Sequence, residues 1–174
     1  MTEVTMGLEI IEGTTTVPEV IIPQRIDGEF VSLDTKEQFA GKRVIIFGLP
    51  GAFTPTCSTQ QLPGFEEKFE EFRAKGIDEI YCVSVNDTFV MNTWFESLGI
   101  KNVYPLPDGN GEFTHTIGAE CSKSNLGFGY RSWRYAVVVN DGVIEKAFIE
   151  EGYTDNAESD PYEVSSPENI LKNL

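Results

Sequence analysis

A chain of 174 residues, 40% hydrophobic and 11% aromatic, has the length and apolar content to bury one core, and residues 1–174 read as a single domain. Its 28 acidic and 13 basic residues leave a net charge of −15, which argues against nucleic acid and anionic membranes, since both need a basic patch. The surface reads as a solubility device, with an acidic docking face for a basic partner as the sharper alternative. The apolar runs are too short to span a bilayer. Met1-Thr2-Glu3-Val4 shows no basic start before an apolar stretch, so a cytoplasmic location is expected.

The first 34 residues read as short strands and turns. Val20-Ile21-Ile22 is expected to stop at Pro23, and Asp27-Gly28 to turn the chain into Phe30-Val31-Ser32-Leu33. Asp34 or Thr35 can cap a short helix through Phe39 that ends at Gly41. Val44-Ile45-Ile46-Phe47, flanked by Gly41 and Gly48, has the pattern of a central strand buried on both faces.

Leu62, Phe65, Phe69 and Phe72 recur at helical spacing between charged residues and predict an amphipathic helix ending at Gly76. Pro63 should kink it or split off its first turn. Residues 79–85 predict a second buried strand. Asn86-Asp87 then caps a helix through Leu98, closed by Gly99. Residues 105–111 read as a turn-rich connection, and His115 and Cys121 as loop residues. Tyr135 to Val139, the turn Asn140-Asp141-Gly142, and Val143 to Phe148 form the clearest hairpin. An acidic loop over residues 150–163 precedes Ser166-Pro167-Glu168, which opens a last helix.

Helical crossovers imply parallel strands and the hairpin implies antiparallel ones. The fold class is therefore α/β, a thioredoxin-like fold whose mixed central sheet is flanked by helices, with extra N-terminal strands.

The chemistry centres on Cys57, placed where a strand ends, a turn closes and a helix begins. Free N–H groups and the dipole at a helix start favour thiolate, the nucleophilic form. Dithiol exchange needs Cys-x-x-Cys, but Ser58, Thr59 and Gln60 follow Cys57, so a single attacking cysteine remains. Cys57, Cys82 and Cys121 are an odd number without metal-ligand spacing, and His115 is the only histidine; reduced thiols are expected, and no metal site. The lone His115 also weighs against a cysteine hydrolase. To cleave an O–O bond, a thiolate needs donors that align the peroxide and stabilise the departing oxygen. Thr54 can turn its hydroxyl to the thiolate or the peroxide, Pro50 and Pro55 can stiffen the turn and exclude water, and a guanidinium must come from elsewhere.

Pro50-Gly51-Ala52-Phe53-Thr54-Pro55-Thr56-Cys57-Ser58 resembles the active-site signature of the peroxiredoxins, Pro-x-x-x-Thr-x-x-Cys, in the form found in their type II (type five) branch. Arg131-Ser132-Trp133-Arg134-Tyr135-Ala136 resembles the segment carrying that family's remote arginine, and the likeness extends through Ser84-Val85-Asn86-Asp87. The chain is similar to the peroxiredoxin domain of bacterial peroxiredoxin–glutaredoxin hybrids.

The resemblance implies a thiol-dependent peroxidase, without cofactor, acting on hydrogen peroxide and alkyl hydroperoxides through a Cys57 sulfenic acid. It implies Cys57 as the peroxidatic cysteine, Thr54 as the bridging hydroxyl, Pro50 as the shielding proline, and Arg134 as the guanidinium that favours the thiolate and orients substrate. Arg131 is the alternative arginine, or a support for its loop. Glutathione with glutaredoxin, or thioredoxin, is the expected reductant in a one-cysteine cycle. Cys82 resembles a second cysteine of some family members but reads as a buried strand residue, and Cys121 has no clear family role. The family also implies a homodimer; Phe53, Phe89 or Trp94, where exposed, could supply its apolar contact. The rival reading is a thioredoxin-fold sensor or binding protein that uses Cys57 as a stoichiometric switch.

Overall fold

The apolar run from Val44 to Phe47 becomes the middle of a five-stranded sheet in the computed structural model, which describes residues 7–174. The reading of Met1 to Val4 lies outside the described residues. In chain order the first elements are β1 (Ile21–Ile26), β2 (Glu29–Asp34), α1 (Thr35–Phe39) and β3 (Arg43–Gly48). A π-helical turn (Cys57–Gln61) leads into α2 (Leu62–Glu67), α3 (Phe69–Ala74), β4 (Glu79–Ser84) and α4 (Thr88–Ser97). Then come β5 (Tyr104–Pro107), α5 (Glu112–Ile117), β6 (Glu120–Ser122) and β7 (Tyr130–Ser132). The chain closes with β8 (Tyr135–Asn140), β9 (Val143–Ile149) and α6 (Pro167–Lys172).

The sheet order is β5-β4-β3-β8-β9, parallel from β5 to β3 and antiparallel from β3 to β9. This is the mixed, helix-flanked sheet of the thioredoxin-like plan, with the β1–β2 ribbon as the N-terminal addition. Alternation along the central strands divides the core in two. Ile45, Phe47, Ile80, Cys82, Ala136 and Val138 face the side covered by α2, α3, α4 and α6. Val44, Ile46, Tyr81, Val83, Val137 and Val139 face the side covered by α1, α5 and the N-terminal segment.

Local chemistry explains most element ends. Asp34, Asp87 and Ser166 each cap a helix by accepting from a first-turn N–H. Asp27-Gly28 and Asp141-Gly142 have positive φ at both positions (51° and 80°, 49° and 81°), as tight two-residue hairpins require. Leu62, Phe65, Phe69 and Phe72 are all buried, and the rings of Phe47 and Phe65 stack at 4.1 Å.

Three local expectations are corrected and a fourth, at Pro63, is met. The first strand continues past Pro23 to Ile26, because among the described residues β1 pairs with β2 alone, leaving a side that needs no proline N–H. The stretch after Val103 begins as a strand rather than a turn. Pro105 and Pro107 are tolerated because β5 is the sheet edge, pairing with Cys82 and Ser84 of β4. At Pro63 the first turn is set apart as expected: it is wound as the π turn Cys57–Gln61, with Leu62 N–H donating to Cys57 O, and α2 begins at Leu62 with Pro63 in its first turn. A further break falls at Lys68 (φ −95°, ψ 10°). His115 lies in α5 and Cys121 in β6, so neither is a loop residue.

Candidate active site at Cys57

The turn that carries Cys57 is braced from several directions before it reaches the thiol. At the end of β3, Gly48 packs against Tyr135 and Ser132, and a Cβ there would stand 2.9 Å from Ser132 Oγ. Asn86 Oδ1 accepts from Ala52 N at 3.0 Å and from Ser84 Oγ at 2.6 Å, tying the turn to the end of β4. Arg131 Nη1 donates to Pro50 O and its Nε to Phe128 O, both at 3.2 Å, so this arginine holds the back of the turn. Phe53 sits at φ 65°, a left-handed conformation that non-glycine residues adopt only when their surroundings impose it.

Thr54 Oγ1 donates to Gly51 O at 2.7 Å, and Thr54 O accepts from Ser58 N at 3.0 Å. The hydroxyl proton is thereby committed to the turn while its lone pairs stay open to a donor. Pro50 is buried. Pro55 is exposed at the start of the helical backbone, so shielding the site from water is not its part. Ser58 Oγ accepts from Trp94 Nε1 at 2.9 Å, which pins the helix start to α4.

Cys57 is fully buried, and Arg134, 2% exposed, reaches it from the far side of the chain. Arg134 Nη1 lies 3.4 Å from Cys57 Sγ and also donates to Gln61 Oε1. Nη2 donates to both oxygens of Asp160 at 2.7 Å. Burial works against a charged guanidinium, but the Cys57 and Asp160 negative charges outweigh it and hold Arg134 more firmly protonated than a free arginine. The structure therefore brings Cys57 and Arg134 together, with Pro50 and Thr54 in the same turn. Arg131 reaches the Pro50 carbonyl instead.

The remaining sulfurs are both buried. Cys82 is buried on the same sheet face as Cys57, its thiol pushed well up by burial and then by the Cys57 charge. Cys121 belongs to the opposite core, its thiol pushed up to about 11, chiefly by burial. His115 is exposed and faces Glu120 at 3.4 Å. Trp94, expected as an exposed contact, is fully buried, whereas Phe53 and Phe89 are 55% and 56% exposed. Among the described residues no group of three or more His, Cys, Asp or Glu side chains is arranged to hold a metal ion. No described helix is long and apolar enough to cross a membrane.

Sequence reasoning missed Gln61, Asp160 and the bracing role of Asn86. The dithiol spacing that excludes a second cysteine ends at Gln60, one residue short of Gln61, and Asp160 is one acid among many in the loop after β9.

The redoxin family model matches residues 13–164. A peroxiredoxin of Rhizobium etli is 63% identical over 140 residues, covering 80% of this chain and 78% of that one. The hybrid peroxiredoxin hyPrx5 of Haemophilus influenzae is 49% identical over 158 residues, covering 91% of this chain and 64% of the hybrid. Among solved structures, reduced Prx3 of Vibrio vulnificus in complex with hydrogen peroxide superposes with a TM-score of 0.85 at 38% identity, covering 95% of this chain and 99% of that one. With more than half of its length matched and relatives well above 30% identity, the chain belongs to the redoxin family as a peroxiredoxin, a thiol-dependent peroxidase.

Proposed function

We propose that Cys57 is the peroxidatic thiolate and Arg134 its activating guanidinium. The observation that carries this reading is the 3.4 Å approach of Arg134 Nη1 to Cys57 Sγ, with both side chains buried. The thiolate attacks the terminal oxygen of the hydroperoxide. An S–O bond forms, the O–O bond breaks, and the departing alkoxide or hydroxide takes up a proton to leave as alcohol or water. Cys57 becomes a sulfenic acid. Arg134 stabilises the thiolate and the charge that develops on the oxygens. Thr54 Oγ1, its own proton given to Gly51 O, accepts from the peroxide O–H. Pro50 closes the turn against water.

A one-cysteine cycle is supported by Cys121 lying in the opposite core and by the burial that keeps the neighbouring Cys82 as a thiol. Glutathione attacks the sulfenic acid, releasing water and forming a mixed disulfide. A second glutathione, through glutaredoxin, returns the thiol; thioredoxin is the alternative reductant. This reading takes residues 1–174 as one peroxiredoxin domain working in the cytoplasm. The exposed rings of Phe53 and Phe89 supply the apolar surface for a homodimer. Anaerobic titration with one equivalent of hydrogen peroxide and a sulfenic-acid trap, followed by mass mapping, tests the assignment. The trap is expected on Cys57 alone; trapping elsewhere, or quantitative bridging of Cys57 to Cys82 or Cys121 before the trap reacts, overturns the one-cysteine cycle.

A further inference from the structure

A guanidinium has five N–H donors, and those of Arg134 can be assigned individually. Nη2 is occupied by Asp160, Nη1 by Gln61 and Cys57, and Nε is buried without an acceptor among the described residues. Two groups from distant parts of the chain thus set the plane of the guanidinium. Gln61 comes from the turn that carries Cys57, and Asp160 from the irregular loop after β9.

A half-exposed ion pair on a loop ordinarily contributes little. This loop, however, is tied down on both sides of Asp160. Before it, Asp155 Oδ1 accepts from Ser122 N at 2.7 Å, and Asn156 N donates to Ser122 O at 2.8 Å. After it, the buried Glu150 carboxylate accepts from Glu163 N at 3.0 Å, from Ser165 N at 2.9 Å and from Ser165 Oγ at 2.6 Å. The Tyr162 ring lies 5.8 Å from the guanidinium carbon. Asp160 is therefore presented to Arg134 by a stretch anchored at both ends, although 45% of its side chain remains open to solvent.

We propose that Asp160 is a positioning residue for the peroxide reaction, pinning Nη2 of Arg134 so that Nη1 stays aimed at Cys57. This rests on the assignment of Cys57 as the attacking thiolate. Without Asp160 the guanidinium is held on one side only and can rotate away from the sulfur. Displacement at an O–O bond is sensitive to small misplacement of the groups that align it. Alkylation by iodoacetamide needs no donor for a departing oxygen, so at a pH where the thiolate is fully formed in each variant it reports on the sulfur and not on the alignment of a peroxide.

The test compares second-order rate constants of the reduced protein with hydrogen peroxide and with iodoacetamide, each taken at the high-pH plateau where the thiolate is fully formed, for wild type, Asp160→Asn and Asp160→Glu. Asp160→Asn is expected to lower the peroxide constant about tenfold while the iodoacetamide constant stays within about twofold, and Asp160→Glu to restore most of the peroxide rate. Three results would overturn the proposal: an unchanged peroxide constant in Asp160→Asn, both constants moving together, or Asp160→Glu as impaired as Asp160→Asn. Failure of wild-type Cys57 to react with peroxide at all would instead reject the peroxidatic assignment.

Discussion

Cys57 and Cys121 lie on opposite faces of the central sheet, one in the core beneath α2 to α4 and the other in the core beneath α1 and α5. A disulfide needs Cα atoms within about 7 Å, so these two cannot bridge without taking the sheet apart. Cys82 shares the face of Cys57, but its thiol is driven up by burial and by the neighbouring sulfur charge. Replacing Cys82 and Cys121 together with Ser is expected to leave peroxide turnover with glutathione and glutaredoxin within about twofold of wild type, since thiolate is the reactive form and neither thiol supplies it. A coupled assay of NADPH oxidation measures this, and loss of turnover in the double variant would show that a second sulfur is required.

The two arginines should separate in kinetics. Arg134 touches the sulfur and Arg131 only the carbonyls behind it. Arg134→Met should slow sulfenic acid formation by about 10²–10³-fold, the effect of removing one donor to developing charge. Arg131→Met should slow it by about tenfold or less, through a looser Pro50 turn. Stopped-flow tryptophan fluorescence with limiting peroxide gives both constants. Equal losses would place Arg131 in the reaction itself.

Gly48 is a position where one methyl group is expected to matter. A Cβ there would stand 2.8 Å from Tyr135 Cζ and 2.9 Å from Ser132 Oγ, both in the packed core behind the active-site turn. Gly48→Ala is expected to destabilise the fold by about 1–3 kcal/mol, the range for overpacking a filled interior. Urea denaturation provides the measurement, and a variant as stable as wild type would mean the Tyr135 ring can move aside.

Glu66 supplies a pH signature for stability. Its carboxylate accepts from Lys101 N at 2.8 Å, Asn102 N at 2.7 Å and Val103 N at 3.1 Å, holding the chain after α4. Burial alone would raise its pKa, but these hydrogen bonds prevail and hold it below the ordinary 4.5. A depressed folded-state pKa adds stability above the unfolded value, and that contribution is lost as pH falls through the folded one. Glu66→Gln should therefore lower the melting temperature by about 2–4 °C at neutral pH and by progressively less below about pH 4. Calorimetry across that range would show a constant difference if the carboxylate charge were irrelevant.

How much of this was legible beforehand depended on the distance over which each feature is encoded. The central strand, the Phe65-Phe69-Phe72 stripe, both Asp-Gly turns and the Ser166 cap rest on rules that act within a few residues, and they stand in the structure as expected. The strands at Pro23 and Tyr104 were misread because proline is tolerated only where a strand has an unpaired side, and local sequence does not reveal which strand is the edge. The π turn answers to the same limit: Pro63 announces a missing N–H, but not how the helix absorbs it.

By itself the sequence determined that a lone cysteine would stand at a strand-to-helix turn, without a second sulfur or a partner histidine near it in the chain. Only the tertiary structure decided what surrounds that sulfur. Arg134 and Asp160 stand 26 residues apart, and Gln61 lies 73 residues before Arg134. Hydrophobic periodicity records which face a residue buries, not which distant side chain meets it there. The same folding step put Cys121 behind the sheet and left Cys57 facing a single guanidinium.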